Sequence, residues 1–449
     1  MNYNIRIYNS LTNRLDDFKP IKENEVSMYV CGPTVYNDIH IGNGRPVIFF
    51  DVVKRFLEYI GYKVTMVENF TDIDDKIIKK AQEEGVDEKV ISERYIEAFL
   101  KVCHDAGCEE DVIHPKVTEN IPEILDFIKR LVEKGHAYIS QDDVYFRVRS
   151  VPSYGILSNQ KLEELESGAR IDVNSQKEDP RDFTLWKKTN DTGRKWDSEF
   201  GSGRPGWHTE CVVMINKIFG PLIDIHGGGI DLKFPHHENE ISQSVALNNT
   251  TLANYWMHNA RIDLKNEKMS KSLGNCVWLK DVLATHSFQA YRLFILANHY
   301  RQNVSYSDEL MDNMEAEWNK LRKTYISAYR KLELNGNLNL HKASTESMEK
   351  FVKEMCYDFN TANALTEIYN EVKTINKLLR DKETTDEVLL EEFCALHDMF
   401  YCFGILPDVH PLSSVEKQLV ISWYEARNNK NFTLADELRK QIVEAGIEL

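Results

Sequence analysis

The sequence predicts an α/β fold, in which a parallel-sheet domain is split by an insertion and followed by an α-helical C-terminal region. Residues 26–67 run through an apolar strand, a glycine-rich turn, a helical stretch and a second strand, the pattern of a parallel βαβ unit. The segment from about 158 to 203 is polar with few strong patterns, and strand-and-helix character resumes at Val212. Beyond Phe288 the apolar periodicity is almost wholly helical.

The elements of the first half follow from periodicity and from residues that end or begin helices. Val26–Val30 is an apolar run that enters a Gly-Pro turn, which indicates a buried strand. Apolar residues at helical spacing over Val47–Ile60 predict a helix, which Gly61 ends as a C-terminal cap. Tyr62–Val67 is the second strand. The Asp74-Asp75 pair begins a further helix, because negative charge stabilises that end of the helix dipole.

Residues 114–203 are interpreted as an insertion between two halves of one α/β domain. Within them Ile121–Lys134 is amphipathic, and residues 138–150 alternate as a strand does. The C-terminal region is predicted to contain four longer helices and, after a linker at Gly404 and Pro407, a final pair. These helices are Leu310–Leu332, Thr345–Cys356, Asn360–Leu379, Glu387–Tyr401, Val415–Asn428 and Thr433–Glu444.

The composition excludes a generally basic nucleic-acid coat protein of the histone type. The chain has 71 acidic and 55 basic residues and a formal net charge of -16. A nucleic-acid partner stays possible, because binding depends on where the charges lie. The eight cysteines have neither the density nor the spacing of a secreted disulfide scaffold. No signal peptide is visible and no apolar run reaches the ~20 residues of a membrane helix, so we expect a reduced, cytoplasmic protein.

Two loops have the residue types that bind phosphate. His40-Ile41-Gly42-Asn43 stands where a glycine-rich turn enters a helix, and such a turn offers backbone N–H groups and the positive end of a dipole. The loop Lys268–Asn275 is basic and rich in hydroxyls, so it can hold a polyphosphate and stabilise charge on a leaving pyrophosphate. Each motif has an alternative interpretation without a ligand. The first could be an ordinary turn with a solvent-facing histidine, and the second could be a solvated surface turn.

Cys31, Cys211, His236 and Glu240 are candidate metal ligands. His236 and Glu240 are four residues apart and share one face of a helix, and imidazole with carboxylate at that spacing is a common metal-binding pair. Two thiolates from distant segments would complete a four-coordinate zinc site. No CxxC motif is present, so buried structural cysteines and a histidine pair at a helix start are the alternative.

A glycine run and a tryptophan are candidates for the wall of a small pocket. The stretch Asp224–Asp231 contains three successive glycines, which suits close approach of a ligand to the backbone; the alternative is a flexible turn. Trp207 follows a glycine and provides an aromatic wall, or else belongs to the core.

In this order, the motifs resemble the signatures of class I aminoacyl-tRNA synthetases. His40–Asn43 is similar to the HIGH signature, and Lys268–Ser272 matches the KMSKS signature letter for letter. Within that class the chain most closely resembles the cysteinyl-tRNA synthetases, from about Ile5 to about Gly446. The matching stretches are Cys31–Tyr36, Asn69–Lys76, Asp182–Lys187, Gly203–His208, His226–Asp231 and Phe234–Glu240.

The resemblance implies a Rossmann-type catalytic domain split by a connective insertion and followed by helical regions. The expected boundaries are 1–113 for the first half of the catalytic domain, 114–203 for the insertion and 204–265 for the second half. The KMSKS loop and stem-contact region follow at 266–309, a helical bundle at 310–403 and a partial anticodon-binding domain at 404–449. In that last region Trp423 and Arg427 are expected to provide stacking and phosphate contacts to RNA.

The resemblance also implies a cysteine–tRNA ligase that forms cysteinyl-adenylate from cysteine and ATP and then esterifies the terminal adenosine of tRNA(Cys). One zinc ion per chain would be held by Cys31, Cys211, His236 and Glu240, and Mg²⁺ would accompany ATP. The catalytic residues would be His40, Lys268 and Lys271, with Gly42, Asn43 and Lys271 contacting ATP. The cysteine pocket would use Thr71, Trp207 and Asp231.

One position departs from the signature. The second histidine of HIGH is Asn43 here, and an asparagine donates a hydrogen bond but carries no positive charge. We therefore expect His40 and Lys271 to supply more of the charge stabilisation.

The implied zinc also accounts for amino-acid selection. A soft thiolate is a good zinc ligand and the metal promotes its ionisation, whereas a serine hydroxyl ionises less readily. The loss of a metal bond should exceed the ~1–3 kcal/mol that a methylene-sized difference supplies, so no editing domain is expected.

Other functions stay open from the sequence alone. A ligase of the same fold could join cysteine to an amino sugar in thiol biosynthesis without tRNA, although the helical extension argues against it. A non-catalytic, synthetase-like binding module is opposed by the intact Lys268, Lys271, Cys31 and Cys211. A zinc hydrolase is disfavoured because no HExxH motif is present.

The C-terminal half is acidic, so RNA binding must rely on local basic strips. Residues 289–449 hold 19 Lys and Arg and 26 Asp and Glu, a net charge of -7. We expect a monomer that binds ATP, L-cysteine and tRNA(Cys) without a membrane. The candidate strips are Lys320, Arg322, Lys323, Arg330 and Lys331, or Arg427, Lys430, Arg439 and Lys440.

Overall fold

The computed structural model of the chain describes residues 3–141, 143–160, 177–189, 191–264, 267–268 and 276–449. Contacts divide the chain into a first unit, Met1–Thr285 with Tyr300–Ser307, and a second unit, His286–His299 with Asp308–Leu449. The finer domain boundaries proposed above stay predictions. In the described ranges, no helix combines the length and the apolar character needed to cross a membrane.

Strands and helices alternate in the first unit, whereas the second unit is helical. In chain order the strands are β1 (Arg6–Asn9), β2 (Arg14–Asp17), β3 (Glu25–Val30), β4 (Lys63–Glu68), β5 (Ala137–Ser140), β6 (Asp143–Phe146), β7 (Phe183–Lys188), β8 (Gly203–Pro205), β9 (Ile223–Gly229), β10 (Ala253–Asn259), β11 (Ile262–Leu264), β12 (Glu267–Lys268) and β13 (Val304–Tyr306). The helices are α1 (Ile41–Tyr59), α2 (Asp75–Glu84), α3 (Glu88–Asp105), α4 (Ile121–Glu133), α5 (Glu210–Ile218), α6 (Glu238–Asn248), α7 (Leu279–Thr285), α8 (Phe288–Leu296), α9 (Asp308–Leu334), α10 (Glu346–Cys356), α11 (Thr361–Arg380), α12 (Asp386–Phe403), α13 (Ser414–Asn428) and α14 (Phe432–Glu444).

A parallel sheet with strand order β10-β9-β3-β4 forms the centre of the first unit. The helix α1 connects β3 to β4 and is buried on most of its sides, with side chains that include Ile48, Phe50 and Phe56. The carboxyl ends of the parallel strands meet at one edge of the sheet, which is where open α/β sheets bind ligands. This architecture confirms the predicted α/β class.

The first helix begins earlier than the apolar periodicity predicts. It starts at Ile41 rather than Val47, so the glycine-rich turn is itself the first turn of α1. The reason is the cap: His40 has extended backbone angles and its side chain accepts the backbone N–H of Asn43. The signature motif and the helix N-terminus therefore coincide.

The insertion contains an antiparallel sheet with strand order β5-β6-β7-β8. The single strand predicted over residues 138–150 is wrong, because β5 and β6 form a hairpin in which Ser140 pairs with Asp143. The alternation of side chains continues through the hairpin, whereas the backbone reverses at Gln141, whose φ is +52°. Alternation in a sequence does not reveal such a reversal.

The helices of the second unit confirm the predicted ones to within two residues at each end. Helices α8 to α12 pack against one another and bury apolar side chains, and the apolar residues of α13 and α14 form a small core. A capping box starts α13: the Ser413 side chain accepts the Glu416 N–H, and the Glu416 carboxylate accepts the Ser413 N–H.

Candidate active site and metal centre

Four side chains from distant parts of the sequence meet near the carboxyl ends of the parallel strands. Cys31 follows β3, Cys211 lies in the first turn of α5, and His236 and Glu240 stand on either side of the start of α6. One donor atom of each lies within 4.8 Å of the others. The structure thus brings together all four candidate metal ligands.

The spacing of the donor atoms suits a tetrahedral zinc ion. The Cys31 and Cys211 Sγ atoms are 3.6 Å apart, and Cys211 Sγ lies 3.7 Å from His236 Nε2. Two sulfur ligands of a tetrahedral ion with Zn–S bonds of about 2.3 Å lie about 3.8 Å apart. The Glu240 carboxylate is 3.6 Å from Cys31 Sγ and 2.9 Å from His236 Nε2. Two thiols, an imidazole and a carboxylate in this arrangement fit the metal.

The four groups shift one another's protonation. A hydrogen bond from the Cys31 thiol lowers the pKa of Cys211 to about 6, while burial raises the pKa of Cys31. Burial disfavours the imidazolium form of His236, but the Glu240 carboxylate and the Cys211 sulfur together outweigh burial and raise the pKa of His236 to about 10. Burial favours a protonated Glu240, yet the charges of His226 and His236 hold its pKa well below its usual range. A dication would compensate these anionic groups by displacing the proton on His236.

Three buried histidines adjoin this cluster and were not assigned from the sequence. His226 Nε2 lies 2.8 Å from Glu240 Oε2, and His237 Nε2 lies 3.3 Å from Cys31 Sγ. His237 Nδ1 in turn contacts His258 Nε2 at 2.9 Å. Cys31, His226, His237 and Glu240 form a second possible ligand set. The set with two thiols is the better match for zinc, which binds thiolate readily.

His40 fixes the start of α1 through its ring. Its Nδ1 accepts the Asn43 N–H at 3.3 Å, so the neutral ring carries its proton on Nε2. Gly42 and Asn43 occupy the first turn of a helix of 19 residues, where the dipole is positive. This arrangement provides the donors that a phosphate group needs.

One cavity is lined both by a residue of the candidate metal cluster and by the turn that starts α1. Its volume is about 500 Å³, and Cys31, His40, Gly42, Asn43, Trp207 and Asp231 all line it. The Trp207 ring stacks on His236 with centroids 4.2 Å apart and an angle of 24° between the planes. The side chain of Trp207 is 42% exposed, so it forms a wall and is not a core residue.

Thr71 is placed differently from the other predicted cysteine contacts. Thr71 is not among the described residues that line the cavity. Its side chain is buried, and its hydroxyl donates a hydrogen bond to Glu210 Oε2 at 2.8 Å. Glu210 is fully buried, and burial raises its pKa well above the usual range. Sequence reasoning missed Glu210, whose one signal is that it precedes Cys211. The contact of Thr71 with substrate stays a prediction.

The interpretation of the glycine run as a flexible turn is wrong, because Gly227, Gly228 and Gly229 belong to strand β9. A Cβ atom on Gly227 would lie 2.1 Å from the Phe50 ring of α1. This glycine therefore permits close packing of α1 on the sheet, which sets the position of the His40 turn.

The side chains of the two lysines predicted to be catalytic, Lys268 and Lys271, lie outside the described part of the chain. The backbone of Lys268 pairs with Asp263 in the β11–β12 ladder, and its side chain lies outside the described part. Lys271, with the rest of the loop over residues 269–275, lies outside the described residues. Their roles stay predictions.

Two residues suggested for contact with RNA, Arg330 and Trp423, are buried in the second unit. Arg330 bonds to Glu333 and two backbone carbonyls, and Arg322 pairs with Glu448, so these two cations of the first candidate strip are already neutralised. Trp423 is 9% exposed and belongs to the small core of α13 and α14, because it faces the partner helix. The Arg427 guanidinium covers its ring at 4.8 Å.

Comparison with known proteins gives matches over almost the whole chain. Residues 17–316 match the model of the class I (C) tRNA synthetase catalytic domain, and residues 350–406 match the DALR domain. The cysteine–tRNA ligase of Bacillus licheniformis is 45% identical over 453 residues, which cover 99% of this chain and 97% of that protein. The cysteine–tRNA ligase of Bacillus pumilus is 44% identical with the same coverage.

Solved structures with similar folds are class I synthetases. A Mycobacterium tuberculosis methionyl-tRNA synthetase bound to methionyl-adenylate superposes with a TM-score of 0.63 at 13% identity, covering 88% of this chain and 93% of that one. A putative arginyl-tRNA synthetase from Campylobacter jejuni has a TM-score of 0.54 at 12% identity, covering 86% and 93%. At these identities the likeness concerns the fold alone. The sequence matches over almost the whole chain show that it belongs to the cysteine–tRNA ligase family of class I aminoacyl-tRNA synthetases.

Proposed function

We propose that this chain activates L-cysteine with ATP to cysteinyl-adenylate and transfers the cysteinyl group to the terminal adenosine of tRNA(Cys). The observation that carries the proposal is the shared cavity, in which Cys31 of the thiol-rich cluster and the His40–Asn43 turn line the same space. The full-length similarity to cysteine–tRNA ligases supports the same assignment. We further propose that the chain acts as a monomer in the cytoplasm and that Mg²⁺ accompanies ATP.

Cys31, Cys211, His236 and Glu240 are the residues that would hold one zinc ion. Bound there, the metal would supply a soft Lewis acid that favours the ionised thiol of cysteine over the hydroxyl of serine. The protein's own contribution is orientation. Trp207 stacks on the His236 ring, and Glu240 is held between His226 and His236. These contacts restrict the ligand side chains before substrate arrives.

The cavity also provides a partner for the amino group of cysteine. Asp231 follows β9 in a short helical turn and lines the cavity with Trp207 and Gly229. A carboxylate at this position suits an ammonium group. Thr71, whose hydroxyl proton is used in the bond to Glu210, would present the acceptor side of its oxygen.

In the first step a carboxylate oxygen of cysteine attacks the α-phosphorus of ATP, and the bond to the pyrophosphate oxygen breaks. His40 Nε2–H and the first turn of α1 would donate to the phosphates as charge moves onto pyrophosphate. Lys268 and Lys271 would supply positive charge. Asn43 adds a neutral hydrogen bond where the signature histidine would add charge.

In the second step a 2′- or 3′-hydroxyl of the terminal adenosine attacks the carbonyl carbon of the adenylate, and AMP leaves. No protein group is covalently modified in either step. Catalysis then rests on positioning and on electrostatic stabilisation.

Three measurements on the purified chain test the proposal: zinc content, cysteine-dependent ATP–pyrophosphate exchange, and charging of a tRNA(Cys) transcript. We expect about one zinc ion per chain, exchange with cysteine but not with serine, and charging. Exchange without charging would contradict the proposal and favour the amino-sugar ligase. Loss of both activities in a zinc-loaded chain would favour the non-catalytic binding module.

A further inference from the structure

The shared cavity has one wall to which neither the phosphates of ATP nor cysteine has been assigned. It consists of Glu68 at the end of β4, Lys76 in α2 and Phe99 in α3, and is called the β4-side wall below. The residues proposed for ATP lie in the first turn of α1. Those for cysteine follow β3, precede α5 or follow β9, except Thr71, which follows β4 but is not among the described residues that line the cavity. The β4-side wall is therefore unassigned, while the reaction has a third substrate that must reach the same cavity.

Lys76 places a cation at this wall that has no carboxylate partner among the described residues. Its Nζ lies 5.5 Å from the centroid of the Tyr36 ring, and Tyr36 also lines the cavity. Its helix neighbours differ, because Lys79 pairs with Glu83 and Lys80 pairs with Glu84. A cation held beside a cavity without a counter-charge suits an anionic group of a ligand.

Glu68 provides the second polar group of the wall. The residue is 6% exposed, and in the described part of the chain nothing donates a hydrogen bond to its carboxyl. Burial raises the pKa of Glu68 to about 8, so the carboxyl is largely protonated at neutral pH. A neutral carboxyl presents a donor beside an acceptor, which complements an edge of adenine where a ring nitrogen stands beside the amino group.

The helix that carries Lys76 is anchored to the insertion. The carboxylate of Asp75 lies 3.1 Å from Lys187 Nζ on β7 and 3.4 Å from an Arg204 nitrogen on β8. Asp74 caps the same helix by accepting the N–H of Lys76. The ion pairs of Asp75 and the cap made by Asp74 thus fix the start of α2, and this order before binding lowers the entropic cost of binding a ligand at the wall.

We propose that the β4-side wall binds the terminal adenosine of the tRNA, with Lys76 on the 5′-phosphate of that nucleotide and Glu68 on its base. The inference rests on the proposed function, because transfer requires a hydroxyl of this adenosine to reach the adenylate. ATP is the other adenine nucleotide in the reaction, and its phosphates are assigned to the His40–Asn43 turn. A residue that binds the terminal adenosine should affect transfer to tRNA, whereas a residue that binds ATP should affect ATP–pyrophosphate exchange. The two half-reactions therefore distinguish the two adenosines.

The first test compares Lys76→Ala with Lys79→Ala, a matched control on the same helix that does not line the cavity. Transfer from preformed cysteinyl-adenylate to tRNA should fall about tenfold or more in Lys76→Ala, the loss expected for a hydrogen bond to a charged group, while exchange stays within about twofold. Lys79→Ala should change neither. An equal fall in exchange, or unchanged transfer, overturns the proposal. A wild-type chain without exchange would instead overturn the proposed function.

A second test asks whether Lys76 contacts the end of the RNA. Dissociation constants are measured for the wild-type chain and Lys76→Ala, each with full-length tRNA and with tRNA lacking the terminal adenosine. The loss of affinity caused by Lys76→Ala should vanish on the shortened tRNA, because the phosphate is then absent. An equal loss on both RNAs would place the lysine elsewhere and overturn the proposal.

The base contact is tested by comparing Glu68→Gln with Glu68→Leu. The amide keeps a donor beside an acceptor, so Glu68→Gln should retain transfer within about threefold, whereas Glu68→Leu should lose about tenfold. Exchange reports that both variants are folded. Equal transfer rates in the two variants would show that no hydrogen bond to the base is made at Glu68.

Discussion

At the scale of single residues, the eight cysteines differ in what surrounds them. Cys31 and Cys211 lie among imidazole and carboxylate groups, whereas Cys108 lies outside the donor set. We expect Cys211→Ser to lose zinc and cysteine-dependent exchange together, because a hydroxyl is a poor zinc ligand. Zinc analysis and exchange measure both effects, with Cys108→Ser as the control. A zinc-free Cys211→Ser chain with full exchange would contradict the proposed metal role.

Gly227 offers a test of packing beneath the site. Gly227→Ala places a methyl group against the Phe50 ring and should destabilise the first unit by about 1–3 kcal/mol, the usual effect of overpacking. The double variant Gly227→Ala with Phe50→Leu should recover part of that stability, since the smaller side chain makes room. Thermal unfolding measures both. No recovery in the double variant would show that the strain lies elsewhere.

At the scale of elements, the second unit contains a buried acid that makes it sensitive to pH. Glu371 on α11 is 1% exposed and faces the Ser347 hydroxyl on α10 and the Glu392 carboxyl on α12. Burial raises the pKa of Glu371 to about 8, with Glu392 adding to the effect. In the unfolded chain the proton leaves near the ordinary pKa of 4.5. Stability is therefore complete below pH 4.5 and is lost as the pH rises through 8.

Glu371→Gln should remove this dependence. At pH 8.5 we expect the variant to be more stable than the wild type by on the order of 2 kcal/mol, and at pH 4 to be equal to it. Thermal unfolding at the two pH values measures the difference. Glu349→Gln, which removes an exposed carboxylate on α10, is the control and should have little effect. The same difference at both pH values would contradict the assignment.

At the scale of the whole molecule, the net charge of -16 constrains how RNA is held. Arg330 and Arg322 are already paired within the second unit, so neither cation is available to neutralise a phosphate there. Each phosphate neutralised contributes about -0.9 to the slope of log affinity against log salt on duplex nucleic acid. We expect a slope no steeper than about -4 for tRNA(Cys) between 50 and 200 mM KCl, by fluorescence anisotropy. A slope near -8 would show an extensive basic surface.

Local features were predictable because their causes are local. The helices α9 to α14 follow from the period of their apolar residues and from caps such as Ser413, and β3 and β4 follow from short apolar runs. The hairpin of β5 and β6 and the early start of α1 were missed. The hairpin depends on the backbone angles of Gln141, and the start of α1 depends on the hydrogen bond that the His40 ring accepts. The periodicity of apolar residues reports neither.

The fold class, the family and the candidate ligands could all be predicted from the order of the residues, because motifs and periodicity are properties of neighbouring residues. Which groups meet depends on how the chain packs. The parallel sheet brings Cys31 and Cys211 to 3.6 Å across 180 residues of chain, and adds Glu210 and His258, which no motif marks. It also buries Trp423 and Arg330, which the sequence suggested for RNA. Distances between segments depend on packing, and the spacing of residues along the chain does not contain them.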